Sequence, residues 1–503
     1  MKRKAIHTLR QYLEVLEKEG ELIRISAPVD PHLEAAEIAV RAMRMGERAI
    51  LFENIIGSKY PLAMNILASD KRIELAIGSS ADELGHKLIS AAEHLMPPKA
   101  SAIMEAARSL GKRALAARPK QVSDSRQNLP LKLSELPVLQ TWQDDGGKFI
   151  TLPEVFTYDP ITGKRNVGMY RVHLFDDKTT GIHWQIQKGG GFHYSVAERM
   201  NRSLEVAIAV GSDPAMLLAT VSPLPENIDE VLFAGFLRGE PTKMTRGKSL
   251  SIQVPAEAEF VLEGLVSPNE RRLEGPFGDH FGHYSHAGMF PVFHVKAITA
   301  RQDPIFAATV VGKPPMEDKW LGDATQQILG PLAKLMHPEV RDVWAFFEAG
   351  FHNLIGVSMK QRYGKEAMKT ALSLASDNQL SLTKCAIIVD EAVNNRDARA
   401  LLKAISDHFD PHYDLLLIPK VAMDTLDFTS YTMNLGSKML IDATHKLATS
   451  ASGGTYPERK INEFYFKTGT QAKNLSDIDS RILEYRSYEK ALLVVKVIGA
   501  YTA

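Results

Sequence analysis

Cysteine is almost absent from this chain: Cys385 is the only one in 503 residues. No intramolecular disulfide can form, which fits a reducing compartment. Its neighbours Ala386, Ile387, Ile388 and Val389 predict a small buried apolar residue. Net charge is absent too, because Lys+Arg and Asp+Glu stand at 60 each. No basic field exists to draw in nucleic acid or an anionic membrane, so any anion site must be a local cluster. No apolar stretch is long enough to span a bilayer. Lys2, Arg3 and Lys4 are followed by no apolar run, so no secretory signal is legible and the cytoplasm is the expected location. The sequence has no internal repeat, no low-complexity tract, no H-E-x-x-H and no dinucleotide fingerprint.

What is present is an ordinary globular composition, 45% apolar and 24% charged. The length exceeds one hydrophobic core, so two or three domains are expected. Leu9, Tyr12, Leu13 and Leu16 recur at helical spacing, and Gly20 is placed to stop that helix. A strand over 21–25, a helix over 31–45, a strand over 49–52 and helices over 71–94 follow, until Pro97 and Pro98 break the pattern. The polar stretch 119–130 reads as a linker. Segments 150–158, 166–175, 204–210, 260–266 and 292–298 are rich in β-branched and aromatic residues and read as strands, with one clear helix at 229–237. Beyond Pro314 and Pro315, helical and strand patterns alternate, which predicts an α/β layer with a mainly parallel sheet. The tail predicts a helix near 478–485 and an apolar run over 491–498. The expected organisation is therefore a mixed α/β (α+β) chain. It has an N-terminal α/β domain over 1–118, a β-rich, barrel-like central domain over 119–315, and a C-terminal α/β domain over 316–503 with a docking or oligomerising tail.

The densest cluster of unusual residues lies in the middle. Asn166 and Arg171 are five residues apart, roughly 16 Å at strand rise, comparable to the length of a flavin mononucleotide. Strict alternation would put them on opposite faces, so one strand holding both ends of such a cofactor needs a bulge or bend. A surface strand with a solvated arginine is the alternative. Gly189, Gly190 and Gly191 would let backbone N–H groups approach a phosphate, with Lys188 supplying charge; a hairpin tip is the alternative. Glu274 and Asp279 flank a Gly-Pro turn that can bring two carboxylates to one point. With Arg171 keeping one ionised, the other would have a raised pKa and serve as proton donor. His280, His283 and His286 recur at intervals of three and offer a rival zinc site.

Taken together, NVGMYR (166–171), the segment 183–190, IDEVLFAGFLRGEP around Glu230 and LEGPFGDHFGHY (273–284) resemble the UbiD family of decarboxylases. TLRQYLEVLEKEGELIRI (8–25), PVDP (28–31) and LDFTSYTMNLGSKMLIDAT (426–444) resemble the same family, in the same order. The resemblance implies a central split β-barrel that binds prenylated FMN, a cofactor made by a separate flavin prenyltransferase. It implies a catalytic trio of Glu274, Arg171 and Asp279. It places Met169, Tyr170, Arg171, His183, Trp184, Gln185, Lys188, Gly189 and Lys384 at the cofactor. Asn166, Glu230 and Gln187 would ligate Mn2+ or Mg2+, and Ala219, Thr220 and Ser222 would hold K+ or Na+ through backbone oxygens. Gln187 stands where the family commonly has His, with His183 four residues off register, which leaves the metal's identity open. Dimers or hexamers are implied.

Loss of carbon dioxide from an sp²-bound carboxylate leaves a carbanion that no side chain stabilises, so a cofactor must act as electron sink. The expected activity is reversible, non-oxidative decarboxylation of an aromatic carboxylic acid of hydroxybenzoate or quinone-precursor type, or of a related α,β-unsaturated acid. The alternatives are a non-catalytic flavin-binding protein on the same scaffold and a zinc hydrolase using the three histidines.

Overall fold

The computed structural model describes residues 4–94, 100–185, 188–225, 228–376, 378–427, 432–447 and 481–497. The Pro97–Pro98 break, the start of the helix expected near Ile478, and Ile498 lie outside the described residues. Two compact units emerge, Met1–Leu329 and Gly330–Ala503.

In the first unit, helix Leu9–Lys18 buries Leu9, Tyr12, Leu13 and Leu16 on one face. The Thr8 hydroxyl caps its start by accepting from Gln11 N–H at 3.0 Å, and Gly20 follows its end at φ +73°. Strands Leu22–Ile25, Ala49–Phe52 and Leu62–Met64 form a sheet completed by Phe306–Ala307. That last strand arrives from more than two hundred residues away, and one continuous apolar core runs from Ile6 to Ile328.

The second sheet has nine strands, all paired antiparallel. Its order is Phe149–Ile150, Val172–Leu174, Thr179–Ile182, Gly288–Ala300, Phe260–Glu274, Leu204–Val210, Pro153–Tyr158 and Arg165–Gly168, with Gln127–Leu129 beside Gly288–Ala300. Phe149–Ile150 and Pro153–Tyr158 lie six strand spacings apart along this path, about 29 Å if the sheet were flat. Only Thr151 and Leu152 connect them, a link of about 11 Å. The sheet must therefore curl on itself, although no pairing joins its two end strands among the described residues. The supposed linker is also structured: Lys120–Gln121 and Gln127–Leu129 are short strands. Their polar side chains hide them, because edge strands need no apolar face.

Helices Ala100–Ala116, Gly189–Arg199 and Pro214–Val221 were not legible from periodicity. Pro214–Val221 is apolar all round and its residues through Thr220 are buried, so it has no stripe to detect. Its start is marked instead by Asp213, which accepts from Ala215 and Met216 N–H, with Pro214 at the first position.

The second unit carries a sheet ordered Val340–Phe346, Phe351–Met359, Cys385–Asp390, Leu435–Asp442, Leu415–Ala422. The two inner pairings are parallel and the two outer ones antiparallel. The sheet is thus mixed rather than mainly parallel, because a short 3-10 turn, Phe347–Ala349, folds the first strand back as a hairpin. The expected tail helix is a strand: Ile482–Tyr488 pairs antiparallel with Leu492–Val497. Glu489 and Lys490, both at positive φ, make the tight turn between them.

Candidate active site

Arg171 sits where the chain breaks between strands Arg165–Gly168 and Val172–Leu174, the bend that the Asn166–Arg171 spacing requires. Glu274 ends the long strand Phe260–Glu274, and Asp279 follows the short strand Phe277–Gly278. The turn between them brings both carboxylates onto one guanidinium. Arg171 donates from Nε to Glu274 Oε1 at 2.7 Å and from Nη2 to Glu274 Oε2 at 3.0 Å. Nη1 donates to Asp279 Oδ2 at 2.7 Å, and Nη2 also reaches the Ser285 hydroxyl at 3.0 Å. The guanidinium lies 4.8 Å from the Phe277 ring centroid. His183 Nδ1 is 3.0 Å from Glu274 Oε2, and its ring stacks on Phe290.

Burial alone would push both carboxyls up. At Glu274, hydrogen bonds from His183 and Arg171 and the guanidinium charge outweigh it and hold the group at about 2. At Asp279, the His280 ring, the Arg171 charge and the His280 N–H hold it below the ordinary carboxylate range. The expectation that one acid of the pair would be raised is therefore corrected. The two carboxylates do not compete for one proton, because each has its own imidazole and its own face of the guanidinium.

A second cluster lies beside the first. Glu230, at the start of helix Glu230–Arg238, accepts from Val167 N–H at 2.9 Å. Asn166, in the amide orientation its neighbours demand, accepts at 3.3 Å from Val167 N–H, Tyr170 O–H and Gly190 N–H. Two side-chain oxygens thus converge on one backbone N–H. Burial pushes Glu230 up to about 7, against the hydrogen bond from Val167. Gly189 and Gly190 start helix Gly189–Arg199, and Lys188, which precedes it, makes no side-chain cap bond. A Cβ on Gly189 would lie 2.0 Å from the Asn166 amide, and one on Gly190 would lie 2.7 Å from Trp184 Nε1. The glycines are therefore needed for close approach rather than for a flexible hairpin tip.

The remaining residues are placed as follows. Met169 packs against the main core, and the Gln185 carbonyl accepts from Lys188 N–H at 3.3 Å. Ala219, Thr220 and Ser222 lie buried at the end of helix Pro214–Val221. There the Thr220 and Ser222 hydroxyls donate to the Met216 and Leu218 carbonyls. Lys384 belongs to the second unit, where its ammonium donates to Asp427 at 2.8 Å. Gln187 lies outside the described residues. No group of three or more His, Cys, Asp or Glu side chains among the described residues is arranged to hold a metal ion. The His280, His283 and His286 zinc reading fails on that ground, and His280 is instead turned onto Asp279 at 2.6 Å.

Sequence reasoning missed Asp145. Its Oδ2 accepts from Thr141 N–H, Thr141 O–H and Trp142 N–H, and its Oδ1 accepts from Gly278 N–H at 2.7 Å. It pins the segment that carries Asp279. It missed His173 as well, whose Nδ1 accepts from Gly275 N–H at 3.3 Å. Neither residue stands in a motif, since both act through distant backbone.

Comparison with known proteins gives this geometry a family. Models of the N-terminal, Rift-related and C-terminal domains of 3-octaprenyl-4-hydroxybenzoate carboxy-lyase match residues 13–92, 114–314 and 319–443. An uncharacterised protein of Archaeoglobus fulgidus is 43% identical over 448 residues, 88% of this chain and 92% of the relative. A 4-hydroxybenzoate decarboxylase component of Chlamydia pneumoniae is 39% identical over 439 residues, 86% of this chain and 74% of the relative. The vanillic acid decarboxylase of Sedimentibacter hydroxybenzoicus in closed form superposes with a TM-score of 0.80 at 27% identity, covering 95% of this chain and 99% of that one. The UbiD-class enzyme HmfF from Pelotomaculum thermopropionicum, in complex with FMN, gives 0.72 at 25% identity, covering 94% and 100%. Three family segments in order, and relatives alike over most of their length, mean that the chain in which Arg171 joins Glu274 to Asp279 belongs to the UbiD family of carboxy-lyases.

Proposed function

We propose that this decarboxylase acts, reversibly and without net oxidation, on an aromatic acid of hydroxybenzoate or quinone-precursor type or a related α,β-unsaturated acid. It uses prenylated FMN from a flavin prenyltransferase, together with Mn2+ or Mg2+ and K+ or Na+, and works as a cytoplasmic homo-oligomer. The observation that carries the reading is the buried Arg171 bridge between Glu274 and Asp279, 7%, 0% and 8% exposed.

The residues fit the cofactor. His183 Nε2 and Trp184 Nε1 are buried polar atoms without a hydrogen-bond partner among the described residues, and a ring edge with acceptors would satisfy them. The N–H groups that open helix Gly189–Arg199 suit a phosphate. Tyr170, Trp184 and Gly189 stand at that helix start, with Met169, His183, Gln185 and Lys188 assigned to the same cofactor. Asn166, Glu230 and Gln187 supply oxygen ligands for a hard divalent ion. The carbonyls of Ala219, Thr220 and Ser222 are assigned to the monovalent one. When bound, the prenylated flavin supplies the electron sink that decarboxylation requires. The chain's own residues do the rest. Arg171 fixes both acids, their burial excludes water, and Asp279, ionised at rest, or Glu274 through a relay, passes a proton in transit to the carbon that loses its carboxylate.

The test is protein made together with a flavin prenyltransferase and offered a panel of aromatic and unsaturated acids. Carbon dioxide release from at least one supports the reading. Flavin-loaded protein that releases none leaves the non-catalytic flavin-binding alternative standing.

A further inference from the structure

Asp279 is engaged from two directions. Its Oδ2 accepts from Arg171, while its Oδ1 faces the His280 backbone N–H at 2.7 Å and the His280 ring Nδ1 at 2.6 Å. A guanidinium does not release a proton at working pH, whereas an imidazole does. The two side chains also differ in access to water: Asp279 is 8% exposed and His280 23%. The ring therefore touches the buried acid and reaches the edge of the site. A third acid, Asp318 in the first turn of helix Glu317–Leu329, is electrostatically coupled to both. Burial pushes Asp318 up to about 6; His280 opposes this, and the Asp279 and Glu317 charges add to it.

We propose that His280 resupplies the proton that Asp279 delivers to the product, acting through Asp279 as a positioning and relay residue. The proposal rests on the decarboxylase reading above. The overall change is R–COO⁻ + H⁺ → R–H + CO2, so one solvent proton enters per turnover and nothing is oxidised or reduced. The bond to the carboxylate carbon breaks, and its electron pair takes a proton that comes from the His280 ring through Asp279, which rests ionised and is protonated only in transit. A solvent proton enters at the exposed edge of the His280 ring, and the Nδ1 proton passes to Asp279 Oδ1. The ring returns to its Nδ1–H form by exchange with water.

The experiment uses holoenzyme made with a flavin prenyltransferase, and 4-hydroxybenzoate, vanillate and 3,4-dihydroxybenzoate as substrates. His280→Asn keeps a side-chain N–H donor toward Asp279 but cannot shuttle a proton, and His280→Phe removes both functions. Both variants should lose about a hundredfold or more in kcat, the scale of general acid–base catalysis, with little change in KM or flavin absorbance. Added imidazole should restore part of the loss. Activity retained in His280→Asn, or a loss that imidazole does not restore, overturns the relay. Undiminished turnover in His280→Phe does the same while leaving the decarboxylase reading intact. A flavin-loaded wild type that releases carbon dioxide from none of the acids overturns both.

Discussion

Arg171 grips Glu274 with two parallel hydrogen bonds, 2.7 and 3.0 Å long, and spends its remaining nitrogen on Asp279. This fork geometry belongs to a guanidinium, and an ammonium cannot reproduce it. Arg171→Lys should therefore release one of the two acids and lower kcat by about a hundredfold or more, comparable to losing one preorganised donor. Arg171→Ala should also destabilise by about 3–5 kcal/mol, because two buried carboxylates lose their partner. Steady-state kinetics and urea titration check both, and wild-type kcat in the lysine variant would remove the fork from the mechanism.

Glu274 sets an acid limit. Its folded pKa of about 2 lies below its ordinary 4.5, so the native state binds fewer protons than the unfolded chain. The resulting stability is present above about pH 4.5 and drains as pH falls toward 2. Its size is on the order of 3 kcal/mol. Urea midpoints at pH 7, 5 and 3 should fall more steeply for wild type than for Glu274→Gln. Parallel curves would mean that the ionised carboxylate contributes nothing.

Gly189 tests the cradle. A methyl there lands 2.0 Å from the Asn166 amide, so Gly189→Ala must push Asn166 away from Val167 and Gly190. The expected cost is about 1–3 kcal/mol of overpacking, with flavin and divalent metal retained at well under wild-type levels. Absorbance and metal analysis of purified protein read both, and full loading would show that the close approach is incidental.

Glu230 separates stability from metal binding. Burial raises its carboxyl to about 7, so its charge costs the apo fold. Glu230→Gln keeps an oxygen for Val167 N–H and removes that charge. The apo variant should be as stable as wild type or more so, by up to about 1 kcal/mol, yet retain little manganese. A variant that loses stability and keeps its metal would invert the assignment.

How much of this was legible depends on where each residue's partner lies. Leu9, Tyr12, Leu13 and Leu16 declare their helix because the signal is local periodicity and the burial face is one stripe. Pro214–Val221 is buried on every side, so the same test is blind to it. The tail misled because apolar residues in Ile482–Tyr488 match helical spacing, while the deciding feature is a two-residue turn at positive φ. At the site, Arg171, Glu274 and Asp279 stood out as charges in unusual motifs, and the structure brings them together. Their protonation did not follow from the sequence. It depends on His183 and His280, whose orientation toward the acids is a matter of three-dimensional packing.

Asp145 shows the same point from the other side, as a residue with no motif and a strong expected effect. Its four accepted hydrogen bonds tie the turn at Thr141 and Trp142 to Gly278, one residue before Asp279. A Cβ on Gly278 would meet Trp142 at 2.1 Å, so the two segments are already in contact and the carboxylate fixes their alignment. Asp145→Asn turns one acceptor oxygen into a donor facing N–H groups and leaves buried donors unpaired, at about 1–3 kcal/mol each. Asp279 should then drift from Arg171, lowering kcat by about tenfold or more, since an error near 1 Å at the reacting groups is enough. Glu274 and the glycine cradle are left in place, so flavin retention should stay near wild type. Thermal unfolding, flavin absorbance and kcat on the best acid of the panel distinguish the cases. A variant that keeps kcat while losing stability would confine Asp145 to holding the fold, and one that loses its flavin would place it in the cradle instead.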